Sequence, residues 1–190
     1  MLRVCRAISA GVIPVWLNVS RLTLRAIIPS IVVLWVLVTL GVGAAFAGER
    51  GSETNLPLPR FVSLKASEAN VRRGPSLTHK IDWVFTRRDM PLEVTAEFGH
   101  WRRVRDRDGA GGWVHYALLS GVRSVIVERD MLELYVTADL NSPVNAYAEL
   151  GVVARLEACQ DQLCRIVAEG YKGWADKGAL WGVLADEIRE

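Results

Sequence analysis

The side chains of this chain best suited to grip a ligand fall in one stretch. Trp83, Trp101, Trp113 and Tyr116 stand among Arg87, Arg88, Arg102 and Arg103. Aromatic faces bind sugars, prolines and peptide backbone with little entropic loss, and guanidinium forks pair with carboxylates. Catalytic sets are harder to assemble. Cys164 as a nucleophile would need a base, and His79, His100 and His115 all lie in the other half of the chain. Those histidines share no metal-ligand spacing. Asp106-Arg-Asp-Gly109 begins as a calcium loop does, but Ala117 stands where the glutamate at the twelfth position is required. A hairpin turn explains that motif. With no nucleophile–base pair, metal set or cofactor motif, the chain reads as a non-enzymatic binding protein without a cofactor.

The elements that must position these residues are visible in an internal repeat. Trp101-Arg-Arg-Val104, Gly112-Trp113 and Ala117-Leu-Leu-Ser-Gly121 recur as Leu163-Cys-Arg-Ile166, Gly173-Trp174 and Gly178-Ala-Leu-Trp-Gly182. One supersecondary unit is therefore built twice. Leu92, Val94 and Ala96 alternate with Glu93, Thr95 and Glu97, the period of a half-buried strand. Trp101–Arg105, Gly112–Val114 and Asn70–Arg72 read as further strands of the first copy. Leu132–Val136, Val152–Ala158, Leu163–Ala168 and Gly173–Ala175 read as strands of the second, with Gly-, Asn- and Asp-rich turns between. Arg123–Val127 is too apolar for a tether and reads as a strand that completes a barrel or lies in an interface. No segment after residue 60 has a clean helical period beyond a possible turn at Ala179–Val183. Many short strands at this spacing mean small barrels or sandwiches. Each copy has only about 60 residues, a marginal core that packing on its twin would reinforce.

Ahead of the repeats, the only charges before Glu49 are Arg3, Arg6, Arg21 and Arg25. Ile27–Gly43 is apolar, and Ala45-Phe-Ala47 forms a small-x-small cleavage site, so residues 1–47 read as a signal peptide cut after Ala47. An uncleaved membrane anchor is the alternative, since the apolar run approaches the ~17 residues that span a bilayer. Mass spectrometry of the exported protein should find Ile27–Gly43 removed; its retention would favour the anchor. Either way the folded part faces the periplasm, and the membrane is a partner only through this segment. Residues 48–59, polar and then Pro-punctuated, read as an extended linker. The repeats occupy 60–121 and 122–184, with 185–190 a tail. Without its leader the chain carries 19 basic and 21 acidic groups, a net charge of −2 that gives no reason to expect nucleic acid. The first repeat carries +4 and residues 122–190 carry −5, which can dock one half on the other or turn the first toward an anionic partner. Cys5 leaves with the leader, and the even pair Cys159 and Cys164 reads as a disulfide in an oxidising compartment, stapling a hairpin rather than organising a core.

Ala69-Asn-Val-Arg-Arg-Gly-Pro-Ser76, the strand at Trp101–Val104, Gly112-Trp-Val114 and Leu118-Leu-Ser-Gly121 resemble the bacterial SH3-like domain. Two such domains behind a signal peptide are similar to exported proteobacterial proteins of tandem form. In these the second copy tends to end in Gly-Trp and Leu-Trp-Gly, as Gly173-Trp174 and Leu180-Trp-Gly182 do here. The resemblance spans about 61–184. It departs in the second copy, where Leu134-Tyr-Val136 replaces Asn-Val-Arg. The resemblance implies an all-β fold of two tandem five-stranded barrels and a role in binding a periplasmic peptide, a protein or peptidoglycan. A structural protein that docks its partner through a sheet edge is the alternative. Strand alternation puts Trp101 and Arg103 on one face and Val104 on the other. The ligand site is therefore expected on the first copy, around Trp101, Arg103 and Tyr116, with Trp83 and Arg102 as further candidates. Trp113 matches Trp174 and is expected to be structural.

Overall fold

The computed structural model describes residues 49–190; the expected leader and its cleavage site at Ala47 lie outside them. The first copy contains β1 (Arg60–Leu64), β2 (Ala69–Arg72), β3 (Ile81–Phe85), β4 (Pro91–Phe98), β5 (Trp101–Arg105), β6 (Gly111–His115), a 3-10 turn at Tyr116–Leu118 and β7 (Leu119–Ser120). The second contains β8 (Ser124–Val127), β9 (Leu132–Tyr135), β10 (Val144–Ala148), β11 (Val153–Cys159), β12 (Leu163–Ala168), β13 (Tyr171–Asp176), a 3-10 turn at Lys177–Ala179 and β14 (Leu180–Trp181). Their antiparallel sheets run β3-β2-β6-β5-β4-β1-β7 and β10-β9-β13-β12-β11-β8-β14, so the copies correspond element for element. Each sheet holds seven hydrogen-bonded strands rather than five. The two-residue strands β7 and β14 are too short to show a period, and β3 and β10 lack clean alternation because most of their side chains are exposed.

Inward residues of each copy make a separate core. Leu64, Val71, Phe85, Leu92, Val94, Val104 and Val114 fill the first. Val127, Leu132, Leu134, Leu156, Ile166, Ala175 and Leu180 are among those filling the second. All four residues of β8 are buried, so the Arg123–Val127 segment is a strand inside the second sheet. The described residues, 49–190, belong to one compact unit. Phe61 meets Trp181 edge to face at 5.2 Å, the Arg123 guanidinium lies over Phe61, and the Ser63 hydroxyl donates to the Val122 carbonyl.

The internal duplication makes one inward position informative. Glu97 on β4 faces Arg102 on β5, and the corresponding pair on β11 and β12 is Cys159 and Cys164. The first copy fills this position with an ion pair, the second with a disulfide. The Cα atoms of the bridge are 4.1 Å apart and both cysteines belong to the second core. The bridge staples the β11–β12 hairpin as expected, and it does so from inside the core, in place of a buried cross-strand pair. A terminal segment closes each barrel at this end. In the second copy the Arg189 backbone pairs with Cys159, and the buried Lys177 amine donates to the carbonyls of Ala185 and Glu187. In the first, residues 50–57 fold over Glu97 instead of running as an extended linker: Gly51 is buried and Leu58 packs in the core. Their turn needs the Glu97 carboxylate to accept the Glu53 and Thr54 amides. Cys159→Ser with Cys164→Ser should lower stability by about 2 kcal/mol, the effect of a short closed loop. Denaturant unfolding read at the second barrel checks it.

Candidate functional site

Pleat and register decide which side chains leave the first barrel. Cross-strand partners share a face, so the pairs Arg103–Trp113 and Trp101–His115 put Trp101, Arg103, Trp113 and His115 on the outer face of β5 and β6. Val104 and Val114 point into the core. The outer face thus carries the residues that alternation assigned to it. Their exposure differs, however. Trp101 is only 9% exposed, edge-on to the His115 ring at 5.5 Å. It cannot offer a stacking platform, and this corrects its place among the ligand-binding candidates. Arg102 is also withdrawn. It is 8% exposed, pairs with Glu97 at 3.3 Å and donates to the carbonyls of Gly99 and Trp101.

Three candidates are accessible. Arg103 is exposed and has no ion pair or side-chain hydrogen bond among the described residues. Tyr116 is 49% exposed and leans on His100 at 5.5 Å and His115 at 5.0 Å, a ring cluster at the end of β6. The 3-10 turn holds Tyr116 there, and the His115 Nδ1 accepts from the Ala117 amide at its start. Trp83 is 51% exposed but sits on the edge strand β3, with β2 and β6 between it and Arg103. The structure therefore places Arg103 on β5 and Tyr116 at the end of the neighbouring β6, with the Arg102 guanidinium 5.9 Å from the Tyr116 ring, and leaves Trp83 apart. His100 and His115 were not among the candidates, and Trp113, first named with the aromatics, was read as structural. The structure puts His115 and Trp113 on the same outer face as Arg103, and His100 against Tyr116. The signal for Trp113 and His115 was present in the spacing of β6, where positions 113 and 115 share a face by the strand period.

The second barrel offers a different surface. A groove of about 620 Å³ lies between the 138–141 loop and the 160–163 turn, lined by Asp139, Leu140, Asp161 and Ile188. It has no cation on its walls, so it opposes the anionic ligands that Arg103 favours. On the outer face, the Arg165 guanidinium lies over the Trp174 ring at 5.6 Å and pairs with Glu157 at 3.1 Å. Glu157 also pairs with Lys172 and Arg155, which hold its carboxyl below the usual carboxylate range. Where the second barrel has this tail-covered Lys177, the first has the open Tyr116.

The sequence profile of the bacterial SH3 domain matches residues 65–121 and again 128–182. The chain belongs to the bacterial SH3 domain family. Each match covers six of the seven strands of one sheet, β1 and β8 lying just before them, so each barrel is one bacterial SH3 domain and the tandem arrangement follows. Bacterial SH3 domains are binding domains. No curated protein matches the chain. Among solved structures it is similar to NlpC2 and NlpC1 from Trichomonas vaginalis, each at 14% identity and a TM-score of 0.31 over 64% of this chain. The chain spans 47% and 45% of their respective lengths.

Within the first SH3 domain, the turn that once suggested calcium is satisfied internally. The Asp106 carboxylate accepts from the Asp108 and Ala110 amides at 3.0 and 2.8 Å, which closes the β5–β6 hairpin. Among the described residues no three metal-ligating side chains come together. Arg72 likewise serves the fold, donating to the Leu77 and His79 carbonyls to hold the β2–β3 loop.

Proposed function

We propose that this protein is an exported, non-enzymatic binding module whose first SH3 domain recognises the peptide part of peptidoglycan. The observation that carries this reading is the side of the first domain formed by β5 and β6. It carries an Arg103 unpaired among the described residues, opposite Trp113, and the exposed rings of Tyr116 and His100 at the end of β6. Such a surface joins a guanidinium for carboxylates to flat faces for backbone and sugar. The +4 charge of the first repeat draws anions to the same side of the chain, and the −5 of the remainder repels them. Its place is the periplasm, reached by export and cleavage after Ala47, or by an anchor that leaves the domains on that side.

Co-sedimentation of the full chain with purified peptidoglycan tests the reading. The protein should pellet with it and be released by excess free muropeptide. Arg103→Gln combined with Tyr116→Ala should weaken retention by about tenfold or more, as for loss of interface anchors. No retention, or retention that muropeptide leaves untouched, overturns it. A second reading has its own support: β3 is an edge strand that exposes Ile81, Trp83 and Val84. Such an edge suits strand addition by a partner protein. Binding lost in Val84→Lys but kept in the Arg103 and Tyr116 double variant would favour that role.

A further inference from the structure

We infer that Arg103 and Trp113 on the first SH3 domain form a carboxylate site, one that the second domain fills with its own Glu157. This rests on the proposed peptide recognition and names the group that the site reads. The duplication supplies the comparison within one chain. Both domains carry a bulge at the same place in the sheet: Thr95 is the extra residue between Val94 and Ala96, and Glu157 the extra residue between Leu156 and Ala158. Opposite the bulge, Arg103 pairs with Trp113 across β5 and β6, as Arg165 pairs with Trp174 across β12 and β13. The two guanidinium–indole pairs are therefore the same structural position in two copies.

What differs is the carboxylate. In the second domain the Glu157 carboxylate reaches Arg165 at 3.1 Å while the guanidinium lies over the Trp174 ring. Arginine and indole thus stand at an acid placed on the bulge, which Lys172 and Arg155 also hold at 2.8 and 2.9 Å. In the first domain the bulge residue is Thr95, whose short side chain hydrogen-bonds the Arg103 carbonyl and brings no charge. Arg103 has no ion pair among the described residues and makes no comparable contact with Trp113. Glu93, an acid on that face, is already bound to Arg105, its cross-strand partner. The first domain keeps the arginine, the indole and the bulge, and omits the internal acid together with its two other cations: Glu93 and Gly111 stand where Arg155 and Lys172 do. An external carboxylate takes the place of Glu157, with its adjoining backbone or methyl group against the half-buried Trp113. A guanidinium beside an aromatic wall suits such a group, because the charge is paired while the apolar neighbour is desolvated. Trp113, expected to serve the fold alone, then has a second role.

Two exchanges test this with the full chain and a defined probe, N-acetyl-alanyl-alanine with a free carboxylate, against the same dipeptide amidated. The readout is the indole N–H resonance of each tryptophan. The acid should shift Trp113 and leave Trp174 unmoved; the amide should shift neither. Thr95→Glu should weaken the Trp113 response by about tenfold or more, the effect of a competing internal charged hydrogen bond. Glu157→Thr should make Trp174 respond for the first time. An equal response to acid and amide, or an unchanged Trp113 response in Thr95→Glu, overturns the inference. Should Thr95→Glu fail to fold, Glu157→Thr decides alone: a Trp174 that stays silent overturns it. Peptidoglycan co-sedimentation of the same variants separates this from the broader reading. Full retention by Thr95→Glu with the dipeptide response lost upholds the carboxylate site and moves peptidoglycan recognition elsewhere.

Discussion

Glu97→Ala should destabilise the first SH3 domain by about 3–5 kcal/mol, because it strands buried guanidinium groups without their counter-charge. The Glu97 side chain is 0% exposed and receives Arg60 at 2.6 Å, the Thr54 hydroxyl at 2.7 Å and the amides of Glu53 and Thr54. Burial alone would raise its pKa. The hydrogen bonds from Thr54, Arg60 and Glu53 outweigh it and hold the carboxyl at about 2, below the ordinary 4.5. A folded-state pKa below the unfolded one stabilises above the unfolded value and loses that contribution as pH falls from 4.5 toward 2. Wild-type stability should therefore drop steeply across this window. Glu97→Gln should be weaker than wild type at neutral pH and converge with it near pH 2. Urea unfolding from pH 7 to pH 2 gives both curves; parallel curves would show that the carboxylate is not the hub of this end of the barrel. The same substitution should release residues 50–57, seen as faster amide exchange at Glu53 and Thr54.

Gly112→Ala and Gly173→Ala should each cost about 2–3 kcal/mol, the effect of forcing volume into a packed strand contact. These are the glycines of the repeated Gly-Trp pair. A Cβ on Gly112 would stand 2.7 Å from the Arg72 carbonyl oxygen and 3.0 Å from a Val71 methyl. One on Gly173 would stand 2.7 Å from the Leu134 Cβ. Both contacts fall where β6 meets β2 and β13 meets β9, joints held by a single registered pair in each sheet. Little redundancy exists there to absorb a shift. Thermal unfolding of each variant checks the magnitude, and a change within a few tenths of a kcal/mol would mean the joint can open without loss.

The duplication, the strands at the Gly-Trp motif, the disulfide partners and the outward placement of Arg103 were all legible from the residues. The reason is physical. A repeat preserves spacing, and the strand period of two assigns faces wherever one face is apolar. Trp101 shows where that reasoning stops. Alternation placed it outward correctly, but an outward side chain is exposed only if its neighbours leave it so, and here His115 stands against it. The edge strands β3 and β10 escaped notice because exposed strands carry no alternation to read.

Taken by itself, the sequence determined the class of fold, the number of domains and the side of the chain that carries positive charge, since these follow from composition, spacing and periodicity. Only the tertiary structure decided which charges are spent within the fold. It showed that Glu97 and Arg102 occupy the position of the Cys159–Cys164 bridge, and that Arg165 has an internal acid where Arg103 has none. Those facts depend on which strands lie side by side and on one bulge in each sheet. Residues distant along the chain become neighbours only when a barrel closes, and no local pattern encodes that distance.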